Sequence, residues 1–360
     1  MQDHVYQFVD RTGQTCQGLR LTDPCVIPKE AIDSQVDYLA SLPRPGNGRR
    51  VALITNPQTG VGHGLTHATS VALCVLKPGE RTSPIRHNSS LVNFCIRGAG
   101  HAIVAGKRID YSHYDVWNTP SWAVYQDCNQ TSDLQVRLVY SNAPLLEKLN
   151  IHIVDEDPPE KAQAARGHGR AGGEHALGSI RLGDDGAVLL PYEKLISPEI
   201  VDVEPLHWPW RRVKQELDKL IALGKSYVGR RLYLLYHPAT GRTNGTTVIH
   251  FATMCVRPAG ITDKPHRHTA AAINYYFGGS GNSIVEGKKY FWKAGDLMLT
   301  APGWAVHRHA SDEQDVYELT IQDSPLNIYM GSLLWQEDLG RPLESLGATG
   351  GFETNRPASA

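Results

Sequence analysis

The 360-residue chain carries one pattern twice, and that repeat limits what it can fold into. "RRVALITNPQTGVGHGLTHATSVALCVLKPGE" begins at Arg49 and "RRLYLLYHPATGRTNGTTVIHFATMCVRPAGI" begins at Arg230. Pro57 matches Pro238, Gly60 matches Gly241, Gly64 matches Gly245 and Cys74 matches Cys255, each pair 181 residues apart. The register continues through "PIRHNSSLVNFCIRGAGHAIVAGKRIDYSHYDVWNTPSWAVYQD" from Pro84 and "PHRHTAAAINYYFGGSGNSIVEGKKYFWKAGDLMLTAPGWAVHRH" from Pro265. One extra residue before the second "P-x-W-A-V" moves the offset to 182. A register held this long means two homologous domains in one chain.

The repeated unit is rich in Val, Ile, Tyr, Phe and Thr, in short alternating runs broken by Gly, Pro, Asn and Asp. "HAIVAGKRIDYS" and "NSIVEGKKYFWK" read as hairpins turning at Ala-Gly-Lys and Glu-Gly-Lys. Many evenly spaced short strands predict an all-β sandwich or barrel for each copy. Helical periodicity is confined to "KEAIDSQVDYLASL" and "PWRRVKQELDKLIALG", one ahead of each copy. The expected division is 1–155 for the first domain, 156–200 for a linker, 201–346 for the second domain and 347–360 for a loose tail. The linker is Gly/Ala-rich, and its His168 and His175 read as solvated residues rather than ligands.

Composition excludes several classes. A net charge of -1 and scattered basic residues offer no nucleic-acid or anionic-membrane surface. No apolar run is long enough to span a bilayer, and the start of the chain does not read as a secretory signal. The six cysteines form no CxxC and read as buried free thiols, which makes the cytoplasm the default compartment.

The chemistry concentrates in the second copy. His266 and His268 stand one residue apart, so on a strand both imidazoles leave the same face. His307 follows in "GDLMLTAPGWAVHRH", where a neighbouring strand brings it to the same point. Three neutral imidazoles on one side of a metal leave positions open, which is a catalytic arrangement. Histidine suits Fe, Zn, Cu and Ni alike, so the ligand set does not choose among them. The first copy aligns Ile85 with His266 and Tyr125 with His307, and keeps only His87 opposite His268. Isoleucine has no donor and tyrosine is protonated at neutral pH, so this copy keeps the packing without the metal. Whether it keeps a ligand pocket is open.

"PHRHT" followed by "GDLMLTAPGWAVH" resembles the two motifs of the cupin superfamily, so the chain resembles a bicupin. The glutamate of a common cupin pattern is absent, with Ala272 and Ile273 in its place. The nearest resemblance is to the ring-cleaving dioxygenases of gentisate, salicylate and 1-hydroxy-2-naphthoate. It rests on His266, His268, Thr269, Pro302, Trp304, His307 and His309, and extends from Pro205 to about Glu337. The resemblance implies two double-stranded β-helix domains and Fe(II) on His266, His268 and His307. It implies O2 and a hydroxylated aromatic acid as substrates, cleavage between the carboxylated and hydroxylated ring carbons, and a homo-oligomer, tetramer or dimer. His309 would be a nearby non-ligand histidine, as acid/base or supporting group. That family usually keeps its metal motif in the first domain, and commonly has a glutamine where this chain has Ala270.

Other positions follow from strand parity and chemistry. Asn274 and Tyr276 share parity with His266 and His268 and are candidate catalytic residues. A carboxylate substrate calls for an arginine. Arg267 and Arg308 point away on parity, which leaves Arg257 and Arg242 as candidates. Trp304 is a candidate wall of an aromatic pocket. Asp296 reads as a turn-pairing residue, and the facing of Glu318 is undetermined. Two alternatives stay open: a cupin hydrolase or isomerase using Zn, Ni or Mn, and a non-enzymatic binding or storage bicupin.

Overall fold

The computed structural model describes residues 8–15, 19–159, 180–182, 187–189, 201–223, 230–337, 339–341 and 343–345. Both copies fold as antiparallel double-stranded β-helix domains. In the first, a six-stranded sheet runs in the order His207–Trp208, Val116–Thr119, Leu91–Arg97, Gln135–Ser141, Ser70–Leu76, Arg50–Ile54. In the second, the order is Cys25–Ile27, Leu297–Ala301, Ala272–Gly278, Val316–Gln322, Phe251–Arg257, Arg231–Leu234. A three-stranded sheet accompanies each: Lys107–Tyr111, Gly100–Val104, Tyr125–Cys128, and Lys288–Lys293, Ser280–Val285, His307–Ser311. The hairpins turn where the sequence places them, on Ala105-Gly106 and Glu286-Gly287, all four at positive φ. That is the turn geometry whose twist matches a two-residue hairpin.

The two halves exchange an arm. Cys25–Ile27 precedes the first copy but pairs with Leu297–Ala301 of the second. His207–Trp208 precedes the second copy but pairs with Val116–Thr119 of the first. The helices Lys29–Ser41 and Trp210–Ala222 follow those arms. Their entry residues, Pro28 and Pro209, have no capping side chain. The cap comes from the opposite copy: Asp296 accepts the Lys29 N–H and Asp115 the Trp210 N–H, both at 2.7 Å. Each aspartate also accepts a backbone N–H of its own turn, Lys293 and Ser112. The same reciprocity appears at Thr69 and His250, equivalent positions that bond each other at 2.8 Å.

Strand alternation sorts the side chains into two compartments. One face of both six-stranded sheets forms a shared core, with Val71, Leu73, Phe94, Leu138, Met254, Tyr275, Phe277 and Leu319 in one cluster. Ile32, Val36 and Leu39 of the first helix, at helical spacing, pack into it, as does Leu217 of the second. Phe94 meets Tyr275 at 5.6 Å and Phe277 at 5.9 Å between ring centroids, so the domains are joined by aromatic packing. The other face of each sheet lines the interior of its own barrel.

Among the described residues, the free thiols are Cys25, Cys74, Cys95, Cys128 and Cys255; the first two are half-buried and the others buried. No described helix is long and apolar enough to cross a membrane. His168, His175 and most of the expected linker and tail, together with Cys16, lie outside the described residues.

Candidate metal centre and its surroundings

The second barrel gathers three imidazoles. His266 and His307 sit directly opposite across an antiparallel bridge and exchange both backbone bonds, at 3.0 and 2.9 Å. His268 lies on the short strand beside them. One ring nitrogen from each of the three lies within 4.8 Å of the others. All three side chains are buried.

The ring orientations are fixed in one way. His266 Nδ1 is 2.9 Å from Lys264 O, His268 Nδ1 2.7 Å from Ala270 O, and His307 Nδ1 2.8 Å from Ala305 O. A carbonyl only accepts, so each Nδ1 carries the proton and each Nε2 keeps its lone pair. Burial holds all three in that neutral state. It pushes His268 down to about 3, with help from its neighbour His266, and lowers His266 and His307 as well. Three preset Nε2 donors, with no fourth His, Cys, Asp or Glu joining the group among the described residues, fit an open-sided divalent-metal site.

Trp335 backs the centre. Its ring stacks on His266 and His268 at 5.4 and 4.9 Å, nearly parallel to both. It lies on Leu334–Gln336, which pairs with Arg267–His268. Sequence reasoning missed it. The repeat held the signal: Val154 pairs with His87 just as Trp335 pairs with His268, 181 residues on.

Behind the triad lies a buried ionic cluster. Glu318 is completely buried and meets Arg230 at 3.1 Å, Arg257 at 3.5 Å and the Cys255 thiol at 3.0 Å. Arg257 also meets Asp263 at 3.0 Å. Burial alone would push Glu318 up, but Arg257 and Arg230 more than offset it and hold the carboxyl below its usual range. His309 is buried next to His307, 5.6 Å between centroids. Its Nδ1 is 2.8 Å from Ser283 Oγ, which accepts the Trp292 indole N–H at 2.9 Å. That leaves the serine proton free for His309 Nδ1. Tyr276 is fully buried and stacked on Trp292 at 3.8 Å.

The remaining sequence candidates fall as follows. Asn274 spans the sheet, accepting from Thr300 at 2.7 Å and donating to Thr320 at 2.8 Å. The metal-less copy has an equivalent bridge, Asn93 to Thr119 at 3.1 Å. That duplication makes it a device of the sheet. Arg257 faces the interior, but both of its terminal nitrogens are already on carboxylates. Arg242 is exposed on the short helix Pro238–Thr243 and does not reach the buried cluster. Trp304 lies under the Arg267 guanidinium at 4.5 Å, on the side that strand alternation turns away from the imidazoles. Trp122 and Arg86 repeat that stack at 4.6 Å in the first copy. Both tryptophans have left-handed backbone and donate their N–H to the carbonyls of His268 and His87, so they pin the turn. Arg230, which the sequence reading left aside, bears more directly on the centre. Its charge is felt by His266, His268, His307 and His309, and its Nε makes no hydrogen bond.

Two cupin domains, with a three-histidine centre in the second, make this chain a bicupin with one candidate metal site. It is a homologue of aromatic-acid 1,2-dioxygenases. It is 24% identical over 300 residues to 5-aminosalicylate 1,2-dioxygenase of Comamonas sp, covering 80% of this chain and 74% of that one. It is 26% identical over 298 residues to a gentisate 1,2-dioxygenase of Streptomyces sp, covering 79% and 78%. Salicylate 1,2-dioxygenase of Pseudaminobacter salicylatoxidans has the same fold: TM-score 0.72, 16% identity, 92% of this chain and 91% of that one. No protein-family profile matches the chain.

Proposed function

We propose that the protein is a non-haem Fe(II)-dependent ring-cleaving dioxygenase acting on a hydroxylated aromatic carboxylic acid. Both oxygen atoms of O2 would enter between the carboxylated and the adjacent hydroxylated ring carbons. The observation that carries this reading is the open set of three Nε2 donors in a chain whose relatives are named for that chemistry. Ferrous iron, when bound by His266, His268 and His307, supplies a centre at which an aromatic acid and dioxygen can react.

The chain's own residues suit an acidic substrate. Arg230, Arg257, Asp263 and Glu318 balance to zero charge, and the imidazoles are neutral. The charge of a divalent ion therefore has no protein counterion and favours an anion from solution. Both Arg230 and Arg257 keep an unbonded Nε, but Arg257 is fully enclosed with its two terminal nitrogens on carboxylates, so the partly exposed Arg230 is the guanidinium better placed to take the carboxylate. Neutral His309, whose Nδ1 can take the Ser283 proton, would present Nε2–H as a hydrogen-bond donor inside the barrel. Trp335 excludes water from one side of the imidazoles. The reading also carries a cytoplasmic setting and a homo-oligomer of two or four chains, to be tested by light scattering.

The decisive experiment is O2 uptake by anaerobically prepared ferrous protein with substituted salicylates, gentisate and hydroxynaphthoates. Uptake matched by loss of one aromatic acid is expected. Tightly bound zinc and no uptake with any of them would overturn the reading.

A further inference from the structure

The first barrel lost the triad but not its space. A pocket of about 280 Å³ opens into its interior past the exposed side chains of Val51 and Leu53. An apolar cavity of roughly 150 Å³ accepts benzene, so this one holds a single aromatic ring with a substituent. Its floor is built in rows across the sheet. Leu53, Ala72 and Val139 pair side by side, and beside them Val51, Cys74 and Arg137. The equivalent rows of the second barrel read Leu234, Thr253, Thr320 and Leu232, Cys255, Glu318. There Glu318 stands in the row of Arg137, paired with Arg230 and Arg257, and Cys255 is fully buried, whereas Cys74 and Ala72 are only half-buried at the equivalent positions.

The lining carries Arg49, Arg50 and Arg137 against the carboxylates of Asp127 and Glu147; Arg50 and Arg137 are paired with Glu80 and Asp127, which leaves Arg49 as the cation for an anion. Arg49 is half-buried and donates to Ser83 O through Nη2, while its enclosed Nη1 makes no hydrogen bond. The nearest carboxylate oxygen, on exposed Glu156, stands 3.8 Å away. Arg137 is paired with Asp127 at 2.6 Å, yet its Nε is also without a hydrogen bond. Tyr125 and His87 bond each other at 3.1 Å, the phenol standing where a metal would meet the imidazole. His87 donates Nδ1–H to Ser89 O, so its Nε2 accepts from Tyr125, and the phenol oxygen keeps a free lone pair.

We propose that the first domain is a second ligand site, which binds a small aromatic or branched monocarboxylate with its acid group at Arg49 and its apolar body over Leu53, Ala72 and Val139. This goes beyond the ring-cleavage reading and does not depend on it, because it needs no metal and no turnover.

The test uses metal-stripped full-length protein and 4-fluorobenzoate, followed by 19F NMR and calorimetry. Saturable binding is expected, with Arg49→Gln weakening it by about tenfold or more, the loss of one charged hydrogen bond. Ala72→Leu fills the floor of the cavity and should abolish this binding while leaving the melting temperature unchanged or raised, so that misfolding is not the cause. The neutral analogue 4-fluorobenzyl alcohol should bind at least about tenfold more weakly. No saturable binding to the parent protein would overturn the proposal. So would equal binding of the alcohol, or wild-type affinity in both variants, which would place the ligand in the second barrel.

Discussion

The two barrels share a backbone plan and differ in what fills them. In the second, a bridge between His266 and His307 places two imidazoles beside a third, and an ionic cluster packs the space behind. In the first, the same bridge joins Ile85 and Tyr125, and the tyrosine hydroxyl meets the surviving imidazole. The Nδ1 anchor persists on both sides: His87 to Ser89 O, as His268 to Ala270 O. So the fold positions an imidazole whether or not a metal is needed, and the first copy lacks the other two donors. Features present in both copies, such as the asparagine bridge and the arginine–tryptophan stack, belong to the scaffold. Features in one copy only are the candidates for chemistry: Trp335, Ser283, His309, and Glu318 with its partner Arg257.

The largest effects should come from the ligands. His307→Ala removes one of three donors and is expected to cut bound iron to background and turnover by ~1,000-fold or more, checked by metal analysis and O2 uptake. The converse change is Ile85→His with Tyr125→His. If geometry is all the first barrel lacks, this double variant should bind a second metal ion per chain, read by elemental analysis. Failure to gain metal would mean that the cavity walls, and not only the donors, differ.

The ionic clusters should separate the barrels next. Glu318→Gln leaves Arg230 and Arg257 sharing one carboxylate, Asp263, in a closed interior, and is expected to cost about 3 kcal/mol or more in urea unfolding. Asp127→Asn breaks the Arg137 pair, but beside a cavity that water can enter, so its cost should be smaller. Equal costs would mean that the first barrel is as dry as the second.

Acid should act on both barrels by the same route. Burial pushes His87 down to about 4 and His268 to about 3, while an unfolded chain protonates near 6.5. The unfolded state then binds more protons, so metal-free protein loses stability as pH falls from about 6.5 toward 4. Each buried histidine contributes roughly 1.4 kcal/mol per pH unit in that window. His87→Gln and His268→Gln should each flatten the slope by about that amount in urea titrations at pH 7, 6 and 5.

Much of this was legible in the sequence, and the reasons are specific. The repeat pointed to two copies of one β-rich unit, and strand alternation put His266 and His268 on one face. Which arginine is free to meet a carboxylate was not legible, because Arg257 is inward-facing but already paired, which depends on Asp263 and Glu318. Trp304 is adjacent to the ligand strand in sequence, yet the left-handed turn sends its ring to Arg267. The exchanged arms were invisible for a similar reason. Their partners lie in the opposite repeat, and no local pattern in "CVI" or "HW" names a strand so distant in sequence.

Those arms supply the smallest predicted effect, and the one that tests the symmetry itself. Asp296 and Asp115 each cap a helix that belongs, by sequence order, to the other copy. Replacing either with alanine removes the acceptor for a helix-start N–H and for a turn N–H, worth about 1 kcal/mol for a cap of this kind. If the domains are coupled only through the aromatic core, Asp296→Ala and Asp115→Ala should lower stability equally and additively. If the arms also lock the domains together, the double variant should lose less than the sum, because the first loss already lets both helices lift. Asp115 also accepts from His207 at 3.0 Å, a contact for which Asp296 shows no counterpart among the described residues. A modest excess cost for Asp115→Ala over Asp296→Ala is therefore expected in urea unfolding, and His207→Phe should erase that difference.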